Sequence, residues 1–246
     1  VLAGGFVEDV YLQLRDTTIH SRLGHAQVYR SGYREFGNRQ PFAYLVADAD
    51  QLAKRIEETE HVIDVMQRLN FFALINNGRI DFPAIGEGVE PDKEARLGTA
   101  MTIVSGRQLG NDDLAGILLG KGLAAALKVQ AGDFVSLLVT TPDGALNSLE
   151  FEVVGIFQTF SQEYDARALR VPLLAAKELL ATEEVHSLVI SLDSVDNTDQ
   201  VTSSLRTGLS DHYEIFAWDE LADFYKKTVT LYGRQFGILQ LIILVM

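Results

Sequence analysis

Cysteine is absent from the sequence, which excludes thiol catalysis, cysteine-ligated zinc and disulfide bonds. This absence leaves the cellular compartment open, but it argues against a small secreted module framed by disulfides. Basic residues are also few, because 21 Lys and Arg stand against 34 Asp and Glu and give a formal net charge of −13. A surface this acidic repels phosphate backbones, so we expect no nucleic-acid partner.

A nucleotide-binding loop is missing as well. The nearest approach is Gly116–Gly122, in which only three residues separate the first two glycines and Lys121 is followed by glycine. A P-loop needs four residues between its glycines and a Ser or Thr after the lysine, whose hydroxyl binds magnesium. We therefore interpret this stretch as a strand-to-helix turn.

Metal and catalytic motifs are equally scarce. The sequence has five histidines without a metal-ligand spacing, namely His20, His25, His61, His186 and His212. The run Glu183–His186 could hold a cation loosely, although surface carboxylates are usually only solvated. No Gly-x-Ser-x-Gly nucleophile elbow occurs, while a triad assembled from distant residues stays open. We expect no catalytic, cofactor-binding or metal-ligating residue and therefore no enzyme.

Short strands and helices alternate along the chain. Apolar alternation and short apolar runs predict strands, and apolar steps of three and four residues predict helices. Strands are expected at residues 25–30, 62–74, 79–89, 117–119, 134–139, 149–157, 187–192 and 213–217, and helices at 1–20, 121–127 and 198–209. A further short amphipathic helix, which carries Leu52 and Ile56, is expected to follow Asp48 or Asp50 as its N-cap. Asn77-Gly78 indicates a hairpin, and Thr141–Gly144 indicates a turn in which Pro142 fixes φ.

The order strand–helix–strand occurs twice, on either side of a strand-rich segment. This order predicts an α+β fold in which two βαβ units form one lobe, made of residues 21–105 and 185–217. Residues 106–184 are expected to form an inserted, strand-rich and semi-independent lobe. Residues 1–20 and 218–246 flank the two lobes as stalk helices.

The C-terminal stalk carries an apolar stripe at Leu221, Tyr225, Val229, Tyr232, Phe236, Leu239 and Ile243. It ends in the apolar run 236–246, whose eleven residues are fewer than the roughly 20 of a membrane-spanning helix. The run is either a buried terminal helix or the start of a transmembrane helix. We favour the transmembrane helix, because chain ends usually lie at the protein surface.

The N-terminal stalk should have an apolar side formed by Phe6, Val10 and Leu14. If both stalks lead to neighbouring membrane helices, they must leave the domain on the same side. We therefore expect residues 3–18 and 219–240 to be helical, to project from the same end and to pack along their apolar stripes.

Two loops are candidates for contact with a partner. The segment Phe157–Asp165 is rich in aromatic residues, and the turn Thr141–Gly144 should lie at an exposed tip. Aromatic residues in exposed loops are typical of interfaces, although scattered apolar residues occur on any protein surface. The candidate contact residues are Thr141, Pro142, Asp143, Phe160 and Tyr164.

Four stretches together resemble a known family. They are Gly24–Tyr33, Ile117–Leu127 with the following Gly132–Val135, Phe151–Phe157, and Val171–Leu180. Their order and spacing resemble the MacB-like periplasmic core domain of ABC-transporter permeases, in the superfamily of macrolide-exporter, lipoprotein-releasing and FtsX-type permeases. Their succession over essentially the whole chain carries the likeness.

The resemblance implies a porter-like lobe of two βαβ units with an inserted Sabre-like lobe, on the periplasmic side of a bacterial inner membrane. It implies flanking transmembrane helices, one before Val1 and one beginning near Phe236. It also implies a permease homodimer or heterodimer, a separate cytoplasmic ABC ATPase, and transmission of ATP-driven motion to periplasmic cargo or to a periplasmic or outer-membrane partner. Lipoprotein release or export would be the activity.

One departure from the family bears on the partner. Lipoprotein-releasing permeases that recruit a periplasmic chaperone have a long hairpin in the insert, whereas the connection Thr140–Ser148 is short. A different reading of the chain is a membrane-anchored periplasmic binding or adaptor protein. A membrane helix encoded upstream of Val1 would favour the permease, and its absence would favour the adaptor.

The failed P-loop gives a first prediction. Because Gly116–Gly122 lacks both the spacing and the hydroxyl of a nucleotide site, this chain should neither bind nor hydrolyse magnesium-ATP. Isothermal titration calorimetry checks this, and micromolar binding would contradict it.

Overall fold

A computed structural model describes residues 2–37, 39–98, 101–222 and 225–231. Its strands are β1 Ala26–Arg30, β2 Val62–Asn76, β3 Asp81–Val89, β4 Thr102–Gly106, β5 Gly116–Gly120, β6 Phe134–Thr140, β7 Leu146–Gln158, β8 Ala168–Pro172, β9 Ser187–Leu192 and β10 Tyr213–Ala217. Its helices are α1 Leu2–Thr18, α2 Tyr33–Phe36, α3 Ala49–Glu57, α4 Pro91–Leu97, α5 Lys121–Leu127, α6 Gln162–Asp165, α7 Leu173–Leu180, α8 Thr198–Gly208 and α9 Trp218–Leu221. Residues 225–231 are also helical.

The two predicted βαβ units interleave in one antiparallel sheet. They are β1-α3-β2 and β9-α8-β10, and their strands stand in the order β10-β1-β9-β2. This is the split βαβ arrangement of ferredoxin-like folds. Helix α3 buries Leu52 and Ile56, and α8 buries Val201 and Leu205. The predicted α+β class is confirmed.

The remaining strands form a closed ring. From the second half of β2, the hydrogen bonds run through β3, β8, β5, β7 and β6 and return to β2. Alternate side chains fill the inside, as in small barrels; among them, Ile75, Leu137 and Phe151 are buried. Strand β4 pairs with β7 outside this ring.

The ring draws strands from both predicted lobes. Hairpin β2–β3, assigned from sequence to the βαβ lobe, pairs with β6 and β8 of the predicted insert. One cluster of buried apolar residues extends from Val28 in β1 to Phe151 in β7. Hairpin β2–β3 is therefore hydrogen-bonded to strands of residues 106–184. That these residues form a semi-independent lobe stays a prediction.

Local signals account for the turns of the ring. Gly78 has φ of 84° at the β2–β3 hairpin, where Asn77 Oδ1 accepts hydrogen bonds from the backbone of Arg79 and Ile80. Gly144 has φ of 88° at the β6–β7 turn. Left-handed backbone of this kind favours glycine, as the sequence pattern predicted.

No helix in the ranges that the structure describes is both long and apolar enough to cross a membrane. The predicted transmembrane start, residues 236–246, lies outside those ranges.

The glycines that mimic a P-loop serve close packing. A Cβ atom on Gly120 would overlap the backbone carbonyl of Asp165, and one on Gly122 would press on the backbone of Ala166. The turn from β5 into α5 thus lies directly against α6 and the residue after it. The interpretation of this stretch as a strand-to-helix turn is confirmed.

Substitution of Gly120 should therefore cost stability. Gly120→Ala should destabilise the chain by about 2–3 kcal/mol, because the fixed backbone of α6 must move. Gly208→Ala is the matched control, since its added Cβ would meet nothing within 4 Å, and it should change stability by less than about 0.5 kcal/mol. Urea denaturation measures both, and equal effects would contradict the packing account.

Candidate coupling site

The chain enters and leaves the sheet at the same place. In the antiparallel pair β1–β10, Ala26 stands opposite Ala217, so α1 ends where the C-terminal helical segment begins. The backbone N–H of Trp218 donates a hydrogen bond to the carbonyl of His25 at 3.0 Å. Both flanking helices are thereby fastened to neighbouring strands.

The flanking helices also contact each other. The Tyr11 hydroxyl donates a hydrogen bond to the carbonyl of Val229 at 3.4 Å. Within the C-terminal segment itself, the rings of Trp218 and Tyr225 meet edge to face at 5.1 Å. Below them, Ile19, Trp218 and Ala222 form a small buried cluster. The two flanking helices thus touch through Tyr11 and Val229, while their packing along the predicted apolar stripes stays a prediction.

The contacting side of α1 differs from the predicted stripe. Val10 is 39% exposed, and its neighbour Tyr11 reaches the other helix instead. Leu14 is half-buried, and the side chain of Phe6 lies outside the described part. On the C-terminal side, Tyr225 and Val229 are half-buried, as their stripe predicted.

The junction between α1 and β1 is tightly packed around a buried histidine. Gly24 has φ of 64°, and a Cβ there would overlap Val189 and crowd the carbonyl of Ile190. His25 is buried, and its Nδ1 accepts a hydrogen bond from the backbone N–H of Leu192 at 3.1 Å. Burial, followed by the charge of neighbouring His20, lowers the pKa of His25 to about 4. The imidazole is therefore neutral at pH 7.

Strand β2 connects the two halves of the fold. Residues 62–68 pair with β9, and residues 69–76 pair with β3. The exchange of partners falls between Arg68, opposite Ser187, and Leu69, opposite Gly88. Strand β2 thus passes from the ferredoxin-like sheet into the ring between Arg68 and Leu69.

Four charged side chains meet at this point. The Arg68 guanidinium donates to Glu94 through Nε at 2.6 Å and through Nη2 at 2.9 Å. Arg170 Nη2 lies 2.8 Å from Glu87 Oε2, and the cross distances are 3.9 Å for Arg68–Glu87 and 3.7 Å for Arg170–Glu94. We call Arg68, Glu87, Glu94 and Arg170 the buried tetrad. It joins β2, β3, α4 and β8.

The tetrad is shielded from water and electrically balanced. Each of its four residues is at most 4% exposed, and two positive groups face two negative ones. Burial alone would favour the neutral forms, but Glu94 and Glu87 hold the pKa of both guanidinium groups above the ordinary arginine value. Both arginines therefore keep their charge, and a buried network of this kind fixes the geometry of its elements more than it adds to stability.

Sequence analysis missed the tetrad because its members are scattered over four elements. The available signal was a lone arginine inside an apolar strand. Arg170 lies in Ala-Leu-Arg-Val-Pro and Arg68 follows Val-Met-Gln. A charge in a strand that is otherwise buried requires a buried partner, but the sequence does not say which carboxylate provides it.

The predicted contact residues of the β6–β7 turn lie at a hairpin tip. Pro142 and Asp143 are exposed, as expected for Pro142, whereas Thr141 is buried. The Thr141 hydroxyl bonds to Asp143 and lowers the pKa of its carboxyl. The Thr141 side chain thus supports the turn from inside, and its role as a partner contact stays a prediction.

The second predicted loop presents one aromatic side chain. Phe160 is 73% exposed, in a loop closed by Asp165, whose buried carboxylate accepts hydrogen bonds from the Thr159 backbone and hydroxyl. Tyr164 is half-buried, with its ring 6.3 Å from that of Phe157. Only Phe160 is thus free to contact a partner through its whole ring.

The structure does not bring the two loops together. The Thr141–Gly144 turn precedes β7 and Phe160 follows it, so the length of a 13-residue strand separates them. Within the described ranges, no group of three His, Asp or Glu side chains could hold a metal ion.

Sequence comparisons match most of the chain to one family. A family model described as the MacB-like periplasmic core domain matches residues 1–207. The lipoprotein-releasing system transmembrane protein LolC of Xylella fastidiosa strain Temecula1 is 27% identical over 175 residues, which are 67% of this chain and 41% of that protein. LolC of strain 9a5c matches equally. The chain spans about two fifths of the length of these curated relatives.

Solved structures share the fold. The periplasmic region of MacB from Actinobacillus actinomycetemcomitans superposes with a TM-score of 0.56 at 14% identity, covering 85% of this chain and 95% of that one. The extracellular domain of the noncanonic ABC-type transporter YknZ from Gram-positive bacteria gives 0.55 at 14% identity, covering 78% and 98%. At this identity the likeness concerns the fold alone.

Removal of one tetrad charge should be costly. Arg170→Met should destabilise the chain by about 3–5 kcal/mol, because it leaves Glu87 buried without its closest partner. Arg96→Met is the control: Arg96 is paired with Asp64 at 2.6 Å, but its side chain is 57% exposed, so its loss should cost at most about 1 kcal/mol. Urea denaturation decides, and a cost for Arg170→Met no larger than the control's would contradict the account.

Proposed function

Because the chain belongs to the family of MacB-like periplasmic core domains of ABC-transporter permeases, we propose that it transmits ATP-driven motion of membrane helices to periplasmic cargo or to a partner. It would do so without chemistry of its own. ATP hydrolysis would take place on a separate cytoplasmic ABC ATPase subunit, and the permease would act as a homodimer or heterodimer in a bacterial inner membrane.

The observation that carries this proposal is the shared attachment of the two flanking helices. Ala26 stands opposite Ala217, and Trp218 is hydrogen-bonded to His25. A displacement of either helix therefore acts directly on the pair β1–β10. Had the helices been attached at opposite ends of the sheet, the motions of two neighbouring membrane helices could not enter at one point.

The buried tetrad supports transmission from that point through the domain. Strand β2 belongs to both halves, and the tetrad ties it to β3, β8 and α4 where its partner changes. Separating a buried charge from its partner strongly destabilises a folded protein. The contact between the two halves at the tetrad would therefore resist bending. The two halves would then move as one lever.

The output surfaces would be the exposed tip at Pro142 and Asp143 and the loop that presents Phe160. Each is a hydrogen-bonded turn, so a displacement of the flanking helices would be transmitted to a partner without being absorbed by a flexible loop. The relatives named for lipoprotein release make a lipoprotein the first cargo to test, and the short β6–β7 connection favours a handover that does not use a long hairpin.

A flexible insertion at the base tests the proposal. In the full permease with its ATPase, Gly-Ser-Gly-Ser inserted directly after Ala222 should abolish lipoprotein release from proteoliposomes while ATP hydrolysis continues, because the helix no longer moves the sheet. The same insertion after Asn111, in an exposed loop, is the control and should leave release intact.

Two outcomes would contradict the proposal. Undiminished release with the insertion after Ala222 would show that motion does not pass through this junction. A full-length gene without a membrane helix upstream of Val1 would instead support a periplasmic adaptor held by one anchor.

A further inference from the structure

A cavity of about 450 Å³ lies between the α2 region and the outer face of hairpin β2–β3. On one side are Tyr33 in α2 and Pro41 and Phe42 after it; on the other are Phe72 and Ile85, with His186 beside them. The volume falls in the range of pockets for small organic ligands, which are typically apolar with a few polar groups. We call it the His186 groove.

His186 is fully buried and only half satisfied. Its Nδ1 accepts a hydrogen bond from the backbone N–H of Asn70 at 3.1 Å, so the proton of the neutral ring lies on Nε2. Over the described residues, Nε2 has no hydrogen-bond partner. A buried donor without an acceptor is unfavourable, and it indicates that a partner for this N–H is supplied from outside the chain.

The surroundings of His186 are aromatic and uncharged. The ring centroids of Tyr33 and Phe42 lie 5.5 Å and 5.9 Å from that of the imidazole. Ring faces are weak acceptors, so these contacts do not replace a true hydrogen bond. Burial lowers the pKa of His186 to about 4, with no charged neighbour contributing. The groove therefore presents a neutral donor, and its described lining contains no charged side chain that could pair with a charged ligand.

The wall of the groove continues as an exposed apolar surface. Phe72 is 74% exposed and stands opposite Ile85, which is 42% exposed. Two residues along β2, Leu74 stands opposite Leu138 of β6, and both are more than a third exposed. Exposed apolar side chains that adjoin one another are typical of a surface that something covers.

We propose that the His186 groove binds a small uncharged apolar molecule whose carbonyl-type oxygen accepts the hydrogen bond of His186 Nε2. Asn70 and Thr140 also line the groove, but over the described residues His186 Nε2 is the lining group recorded as buried without a partner. A ligand with an acceptor for this donor is therefore favoured. A peptide fits less well, because each of its backbone N–H groups would also need an acceptor. Binding requires the Tyr33 or Phe42 ring to turn away from the imidazole. This site goes beyond the transmission of motion and does not depend on it.

Nile red is a suitable probe, because it is uncharged, carries a carbonyl acceptor and has no N–H or O–H donor. Titration of the whole chain should give a saturable rise in its fluorescence. Phe72→Ala should weaken binding about fivefold, through loss of an aromatic wall. Phe160→Ala is the matched control, since it removes an equally exposed phenylalanine, 73% against 74%, and should leave the affinity unchanged.

The hydrogen bond has its own readout. With ¹⁵N-labelled histidine, the Nε2–H resonance of His186 should move downfield when Nile red binds, which a purely structural histidine would not do. His186→Phe keeps an aromatic ring and should weaken binding about fivefold by removing the donor. If this variant fails to fold, the resonance and the Phe72→Ala affinity still decide the question.

Competition identifies the class of ligand. Methyl octanoate, which has an ester carbonyl and no donor, should displace Nile red, whereas an uncharged apolar peptide should not. Displacement by the peptide alone would overturn the assignment to a small molecule. The site itself is refuted by an absence of saturable binding, by an unmoved Nε2–H resonance, or by equal effects of Phe72→Ala and Phe160→Ala.

Discussion

Two arginine–glutamate pairs, buried together at the point where β2 changes partners, hold the two halves of this domain in one orientation. A charge removed from water must be compensated by a close partner, and the four groups compensate one another only when β2, β3, β8 and α4 are all in place. An apolar cluster would tolerate sliding of these elements, whereas the bidentate Arg68–Glu94 contact does not. The tetrad thus fixes the part of β2 that pairs with β9 relative to the part that pairs with β3.

Other features of the domain lie close to the tetrad. The backbone N–H of His186 donates to the carbonyl of Arg68 at 2.9 Å. The His186 groove and the buried tetrad are therefore joined by a direct backbone hydrogen bond. At the opposite end of the ferredoxin-like sheet, β1 and β10 receive the flanking helices. Force applied to those strands reaches the tetrad through β9, which lies between β1 and β2. A ligand in the groove would consequently lie on the proposed path of motion.

Elements set by local pattern could be predicted from the sequence, and arrangements set by distant contacts could not. The bounds of α5 and β9, and the hairpin at Asn77-Gly78, follow from neighbouring residues and agree with the structure. The interleaving of β1 between β9 and β10 and the closure of the ring by β6 depend on residues far apart in the chain. The same holds for the tetrad and for His186 Nε2, which lacks a partner among the described residues, because each requires knowing which side chains meet.

The central claim is that the tetrad locks the two halves into one body. The chain has no cysteine, so spin labels can be placed uniquely at Asp143 on the barrel tip and at Asp211 beside β10, both of which are exposed. Pulsed electron–electron double resonance then gives the distribution of distances between the halves. The account predicts one narrow distribution for the otherwise unchanged chain and a broad one when Arg170→Met is added under conditions where the chain remains folded. Narrow distributions of the same distance in both would contradict it.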